Sequence, residues 1–175
     1  MSKKKKIAIL LSLLLILLIL LIPITVFAVI SAQKADVTKG GFSQNTVDRL
    51  NINIDATEFT FKKSDSGTYM VEFTLTAEKT EGEFYGMLNS VEFSGLDFDY
   101  ILLTGDNGEN TSINDTVLPS VNGTPQTLSW KVQIPCKITD TGEYAAEFSV
   151  SYTSGLTKDS ADARVLTVPI SVTVK

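Results

Sequence analysis

The chain has 175 residues, of which 15 are basic and 20 acidic, giving a formal charge of −5. It holds one cysteine and no histidine, which excludes Ser–His and Cys–His nucleophile systems and deprives a zinc site of its commonest ligand. A lone thiol also excludes an intramolecular disulfide, so an exported domain of this chain must rely on its core.

The N-terminus reads MSKKKKIAILLSLLLILLILLIPITVFAVI. Lys3 to Lys6 precede an apolar run from Ile7 to Ile30, broken only by Ser12, Pro23 and Thr25. That is the pattern of membrane targeting, with the lysines held on the cytoplasmic side. Two readings of residues 1–30 stand. In one, Ile7 to Ile22 is the apolar region of a signal peptide, Pro23 breaks the helix, and the cut follows Ala28. In the other, the 24 residues from Ile7 to Ile30 form an uncleaved transmembrane anchor, which needs about 20. The protein is then expected either in the cell membrane, single-pass with its C-terminal domain outside, or secreted. No cysteine lies near the cut, so a lipid-modified N-terminus is excluded. The chain closes on SVTVK, with neither a hydrophobic tail nor a sorting signal.

Beyond Ala28, 11 basic residues face 20 acidic ones, a net charge of −9. Such a balance argues against nucleic acid and anionic lipid surfaces as partners. Residues 31–46, SAQKADVTKGGFSQNT, are polar with a Gly-Gly pair and predict a spacer. Residues 47–175 predict one domain, long enough to bury roughly two-thirds of its extended surface.

In chain order, NINIDATEFTF moves its apolar positions from Ile52 and Ile54 to Phe59 and Phe61. This change of parity predicts a bulge or a crossing between two sheets near Ala56. TYMVEFTLTA alternates strictly, with Tyr69, Val71, Phe73, Leu75 and Ala77 on one face. VEFSGLDFDYILL breaks step at Gly95, where a bulge or bend is expected. The stretch TGDNGENTSINDTVLPSVNGTPQ, from Thr104 to Gln126, is the main loop region, with Val117-Leu118 as its one short strand candidate. TLSWKVQI turns Leu128, Trp130, Val132 and Ile134 inward. EYAAEFSVSY does the same with Tyr144, Ala146, Phe148, Val150 and Tyr152, and VLTVPISVTV with Leu166, Val168, Ile170, Val172 and Val174. Pro169 faces outward and fits an edge position, because proline cannot donate to a neighbouring strand. Alternation of this kind belongs to sheets with one wet face, and no segment after Ile30 has a helical period. The fold class is all-β, an antiparallel sandwich of about seven strands.

Leu128 to Ile134, a polar turn, Asp140-Thr141-Gly142-Glu143-Tyr144 and then Ala146, Phe148 and Val150 resemble the E strand, E–F corner and F strand of the immunoglobulin-like superfamily. The resemblance implies that Tyr144 opens strand F, its hydroxyl bonding the backbone upstream, and that residues from 163 onward are strand G. Asp140 and Gly142 suit the turn, through side-chain bonding to amides and tolerance of positive φ. The chain departs from antibody-type domains in having Ala146 at the second core cysteine and Trp130 on strand E. It looks like a disulfide-free bacterial Ig-like domain. A jelly roll or carbohydrate-binding module is the alternative sandwich.

No catalytic, cofactor-binding or metal constellation emerges. Asp97 and Asp99 could flank a glycosidic bond, but they alternate with Leu96, Phe98 and Tyr100 and read as a solvated strand face. Asp106, Glu109 and Asp115 could offer oxygens to calcium, although D-N-G-E-N does not match an EF-hand loop. Asn110, Asn114 and Asn122 satisfy the N-glycosylation triplet, which Asn-rich loops produce by composition, and the tetralysine leader looks bacterial. Tyr85, Tyr100 and Tyr152 could reach a ligand, but each falls where a sheet core or end holds it. Cys136, after Pro135, reads as a small residue at a strand end. The expected function is non-catalytic binding, adhesion or structural support by an exported or membrane-anchored surface protein, with an unknown protein or glycan partner. The alternative is a non-catalytic carbohydrate-binding module at the cell envelope.

Overall fold

A computed structural model describes residues 32–45, 50–79, 85–118 and 127–175. The expected signal peptide or anchor at 1–30 lies outside the described residues, as do 119–126 of the long loop, including Asn122. Among the described residues no helix is long and apolar enough to cross a membrane.

The strands are β1 (Gln33–Lys34), β2 (Val37–Lys39), β3 (Phe42–Asn45), β4 (Leu50–Ile54), β5 (Glu58–Phe61), β6 (Thr68–Lys79) and β7 (Tyr85–Ser94). They continue with β8 (Leu102–Gly105), β9 (Asn110–Thr111), β10 (Thr116–Val117), β11 (Thr127–Lys137), β12 (Gly142–Gly155) and β13 (Asp162–Val174). A single 3-10 turn at Lys158–Ser160 is the helical structure among the described residues. The first sheet runs β3-β4-β6-β11-β8-β9, and β1 adds to β6 in parallel. The second runs β10-β7-β12-β13-β5-β2. Parallel pairing of β5 with β13 makes it the one mixed region of that sheet.

The long strands do what their alternation requires. Val71, Phe73, Leu75 and Ala77 of β6 and Trp130, Val132 and Ile134 of β11 are buried from one side. Ala146, Phe148 and Val150 of β12 and Leu166 to Val174 at alternate positions of β13 are buried from the other. The two layers meet in one cluster, where Phe73 of the first sheet stacks edge-on against Phe148 of the second with centroids 4.9 Å apart. Phe61 and Tyr69 make a second edge-on contact at 5.2 Å.

Both parity breaks are sheet crossings. After β4 the chain leaves the first sheet at Asp55 and enters the second as β5, so the inward face resets. Asp55 pins the crossing: its N–H donates to the Thr74 carbonyl at 3.2 Å, and its Oδ1 accepts from the Thr74 N–H at 2.6 Å. At Gly95 (φ +91°) β7 ends and the chain crosses the other way. Phe98 then bridges to Cys136, with Lys137 N–H bonded to Asp97 O at 2.8 Å and Asp99 N–H to Pro135 O at 3.1 Å.

The corner is in place as well. Tyr144 donates its hydroxyl to the Asp140 carbonyl at 2.9 Å, while its half-buried ring packs on the core. β11, β12 and β13 thus take the E, F and G positions that the resemblance implies, with β4, β6 and β8 at A, B and D and β7 at C. The chain visits β8 before returning to the second sheet as β10 beside β7.

Three expectations change. Residues 33–45 do not form a spacer: β1 pairs with β6, β2 with β5 and β3 with β4, and the compact unit begins at Gln33. The strand count exceeds about seven because strands of two to four residues are too short to show alternation. Pro169 does sit on an open edge, but only locally, since β5 covers β13 from Ser171 onward.

Candidate functional site

The β8–β9 hairpin overhangs β11 and leaves two adjoining shallow clefts of about 390 and 330 Å³ that share Gly105, Asp106 and Ser129. The hairpin holds its own shape. Gly105 N–H bonds to Glu109 O at 3.0 Å and Gly108 N–H to Gly105 O at 2.9 Å. Asn107 accepts from the Glu109 N–H at 3.1 Å and donates to its carboxylate at 2.9 Å. Asp106, Asn107, Asn110 and Thr111 face the larger cleft, with the mostly buried Trp130 beneath.

The smaller cleft lies on the outward face of the first sheet, lined by Asp55, Glu72, Thr74, Thr104, Asp106 and Lys131 among others. Glu72 is tied there by Lys131 at 3.0 Å and by Gln133 Nε2 at 2.7 Å. Burial pushes its carboxyl up, but the hydrogen bonds from Lys131 and Gln133 and the charges of Lys131 and Lys34 outweigh burial and hold its pKa below the usual value. The surface is polar and pre-ordered, with both hydrogen-bond donors and acceptors, and suits a polar ligand rather than an apolar one.

Asp97 and Asp99 are exposed, and Asp99 forms an ion pair with Lys137. Neither faces the clefts. Asp106 and Glu109 belong to the hairpin of the first sheet, whereas Asp115 lies beside β7 of the second. There Asn89, the extra residue of a β-bulge opposite β12, donates to Asp115 Oδ1 at 3.3 Å and accepts from Thr153 Oγ1 at 3.1 Å. The structure does not bring the three carboxylates together, and no group of three His, Cys, Asp or Glu able to hold a metal occurs among the described residues. Asn110 and Asn114 are exposed. Tyr85 is half-buried with its hydroxyl on Met87 Sδ at 3.2 Å, Tyr100 is half-buried, and Tyr152 is core. Burial, then the Asp99 charge, raises the Tyr100 pKa. Cys136 is fully buried, and burial pushes its thiol up to about 12, so it is not a nucleophile at neutral pH.

Two features escaped the sequence reading. Lys79 continues the inward parity of β6 and is 6% exposed, and burial lowers its pKa. A third hollow, about 540 Å³, lies on the outward face of the second sheet around Gly95, Ala145, Glu147 and Pro169. Small residues at 95 and 145 were the available signal.

No protein-family model matches the chain, and no curated protein is significantly similar to it. Among solved structures it is similar to the CooA pilin subunit of enterotoxigenic Escherichia coli, with TM-score 0.41 and 10% identity over 71% of this chain and 98% of that one. It is similar also to AggA, the major subunit of aggregative adherence fimbriae type I from Escherichia coli, with TM-score 0.38 and 11% identity over 79% and 98%. ACE19, the collagen-binding subdomain of the Enterococcus faecalis surface protein ACE, follows with TM-score 0.24 and 12% identity over 63% and 99%. Likenesses at these scores carry no weight for function. On its own sheet order and its tyrosine corner, the described domain is an Ig-like β-sandwich without a disulfide.

Proposed function

We propose that the protein is an exported or membrane-anchored bacterial surface protein whose single Ig-like domain serves in non-catalytic binding, adhesion or structural support. Export rests on the tetralysine and apolar leader. The observation that carries the binding role is the pre-ordered polar cleft where the β8–β9 hairpin meets β11. Its carboxylates, amides and hydroxyls offer recognition groups, and its fixed hairpin lowers the ordering cost of a ligand contact.

The carbohydrate-binding reading draws on the same lining of Asp106, Asn107, Asn110 and Thr111, which suits hydroxyl-rich ligands. Against it, the exposed large hydrophobics among the described residues are Val37, Val117, Leu156 and Val165, which are aliphatic and offer no stacking platform.

The test is binding of bacteria displaying the full chain to panels of immobilised proteins and glycans. Adhesion that disappears with Asp106→Ala or Lys131→Ala, in chains that still reach the surface, supports the cleft. Hydrolysis of a bound glycan that is lost with Asp97→Asn or Asp99→Asn overturns the non-catalytic reading. N-terminal sequencing of the cellular protein decides between a start at Val29 and an intact anchor.

A further inference from the structure

We propose that the open upper edge of β13 is a self-association site, pairing antiparallel with the same edge of a second copy about a two-fold axis at Ala163. The direction of the backbone groups follows from the lower part of the strand. Ser171 N–H donates to Thr57 O at 2.8 Å and Lys175 N–H to Phe61 O at 2.9 Å, so odd positions of β13 point away from β12. The pairing with β12 runs without a register shift from Ser154 opposite Asp162 to Gly142 opposite Val174. Thr167, Val165 and Ala163 therefore also present their N–H and C=O groups outward. β5 covers β13 only from Ser171 to Val174, and no described strand pairs with the edge above it.

An open edge with outward amides is a template for another strand, and natural edges are blunted by lysine, proline or bulges. Here Pro169 supplies the blunting at one position, since its missing N–H is one that would have pointed outward. From Asp162 to Thr167 there is no lysine, proline or bulge, the two charged residues Asp162 and Arg164 are of opposite sign, and Val165 is 64% exposed on the outward face.

Charge selects a second copy as the occupant. The exported chain carries a net −9, yet the segment from Leu156 to Pro169 holds Lys158 and Arg164 against Asp159 and Asp162 and is neutral. With the axis at Ala163, Asp162 of one copy lies opposite Arg164 of the other, twice, in the pairing geometry where cross-strand opposite charges attract. Ala163 meets Ala163, small against small, as a hydrogen-bonded pair, and Val165 meets Ala161. Arg164 has five donors, enough to serve the second copy together with a contact inside its own chain. The second chain then runs away from β5, and the two six-stranded sheets become continuous. An isologous contact of this length is small and gives a weak, concentration-dependent dimer.

Disulfide trapping of the full chain in a bacterial envelope tests the site, and the buried Cys136 keeps the background silent. Ala163→Cys is expected to give a cross-linked dimer on oxidation, while the exposed control Glu143→Cys does not. Adding Val165→Pro, which removes an outward N–H without touching a bond to β12, should return trapping to the control level. Arg164→Asp should weaken trapping, and Asp162→Arg combined with Arg164→Asp should restore it. Trapping of Ala163→Cys no faster than the control overturns the proposal. So does trapping that is indifferent to both Val165→Pro and the charge exchange.

Discussion

Tyr144 has two attachments that can be separated by mutation. Its ring packs against the core, and its hydroxyl donates to the Asp140 carbonyl at 2.9 Å across the corner between β11 and β12. Tyr144→Phe keeps the ring and deletes the bond. It leaves a carbonyl that water can reach, because the corner is exposed, so the loss is the net value of one hydrogen bond, about 1 kcal/mol. Urea unfolding followed through Trp130, the single tryptophan and 6% exposed, reads this as a lower midpoint at unchanged slope. An unchanged midpoint would mean that the corner is held by packing alone. The neighbouring Ala146 shows why the chain does without a disulfide here. It is buried in the core cluster, and across the two sheets Phe73 meets Phe148 edge-on.

Elements are joined by crossings, and the crossing at Gly95 leaves the least room. A Cβ built there would stand 2.8 Å from the Ala145 carbonyl oxygen and 2.9 Å from the Ala146 Cα, both backbone atoms, at φ +91°. Gly95→Ala is therefore expected to cost roughly 2–3 kcal/mol or more, from strained dihedrals together with displacement of β12. Gly108, in the β8–β9 turn, has φ +77° but nothing within 4 Å of a built Cβ. Gly108→Ala should cost only the conformational part, about 1 kcal/mol, and equal losses in the two urea midpoints would refute the steric argument. The crossing near Ala56 was legible as one of two readings of a change of inward parity, whereas the break at Gly95 was read as a bulge or bend and proved to be a crossing as well. The faces of β6, β11, β12 and β13 were legible for the related reason that a sheet dry on one side imposes period two. β1, β2, β3 and β9 were not, since strands of two to four residues are held by backbone ladders that leave no side-chain pattern, and β10 was legible only as the short candidate Val117-Leu118, one residue out of step with Thr116–Val117. Lys79 was missed because its long apolar stem can fill an inward position that a hydrophobicity pattern reserves for leucine or valine. The clefts gather residues from β6, the β8–β9 hairpin and β11, which are far apart in sequence and carry no spacing motif. Only the loop region from Thr104 to Gln126 was legible, not the hairpin within it.

At the scale of the molecule, the segment 33–45 decides where the domain begins. It supplies β1 to the first sheet, β2 to the second and β3 to the first again, so it fastens both layers of the sandwich from outside. Ala35 and Phe42 also pack against the core. A chain starting at residue 47 would lose that apolar contact, worth about 2 kcal/mol, and would uncover the edges of β4 and β5. Domain stability is typically about 5–15 kcal/mol, so the truncated domain should still fold but melt several degrees below a chain starting at Gln33. Its bare edges should make it aggregate on heating, which light scattering recorded through the melt would detect. Both chains are to be compared under one condition. Equal melting temperatures and equal scattering would make β1, β2 and β3 accessory strands, and the domain would then begin near residue 47, where a polar spacer would place it. A lower melt for the shorter chain would instead set the N-terminal boundary of the domain at Gln33.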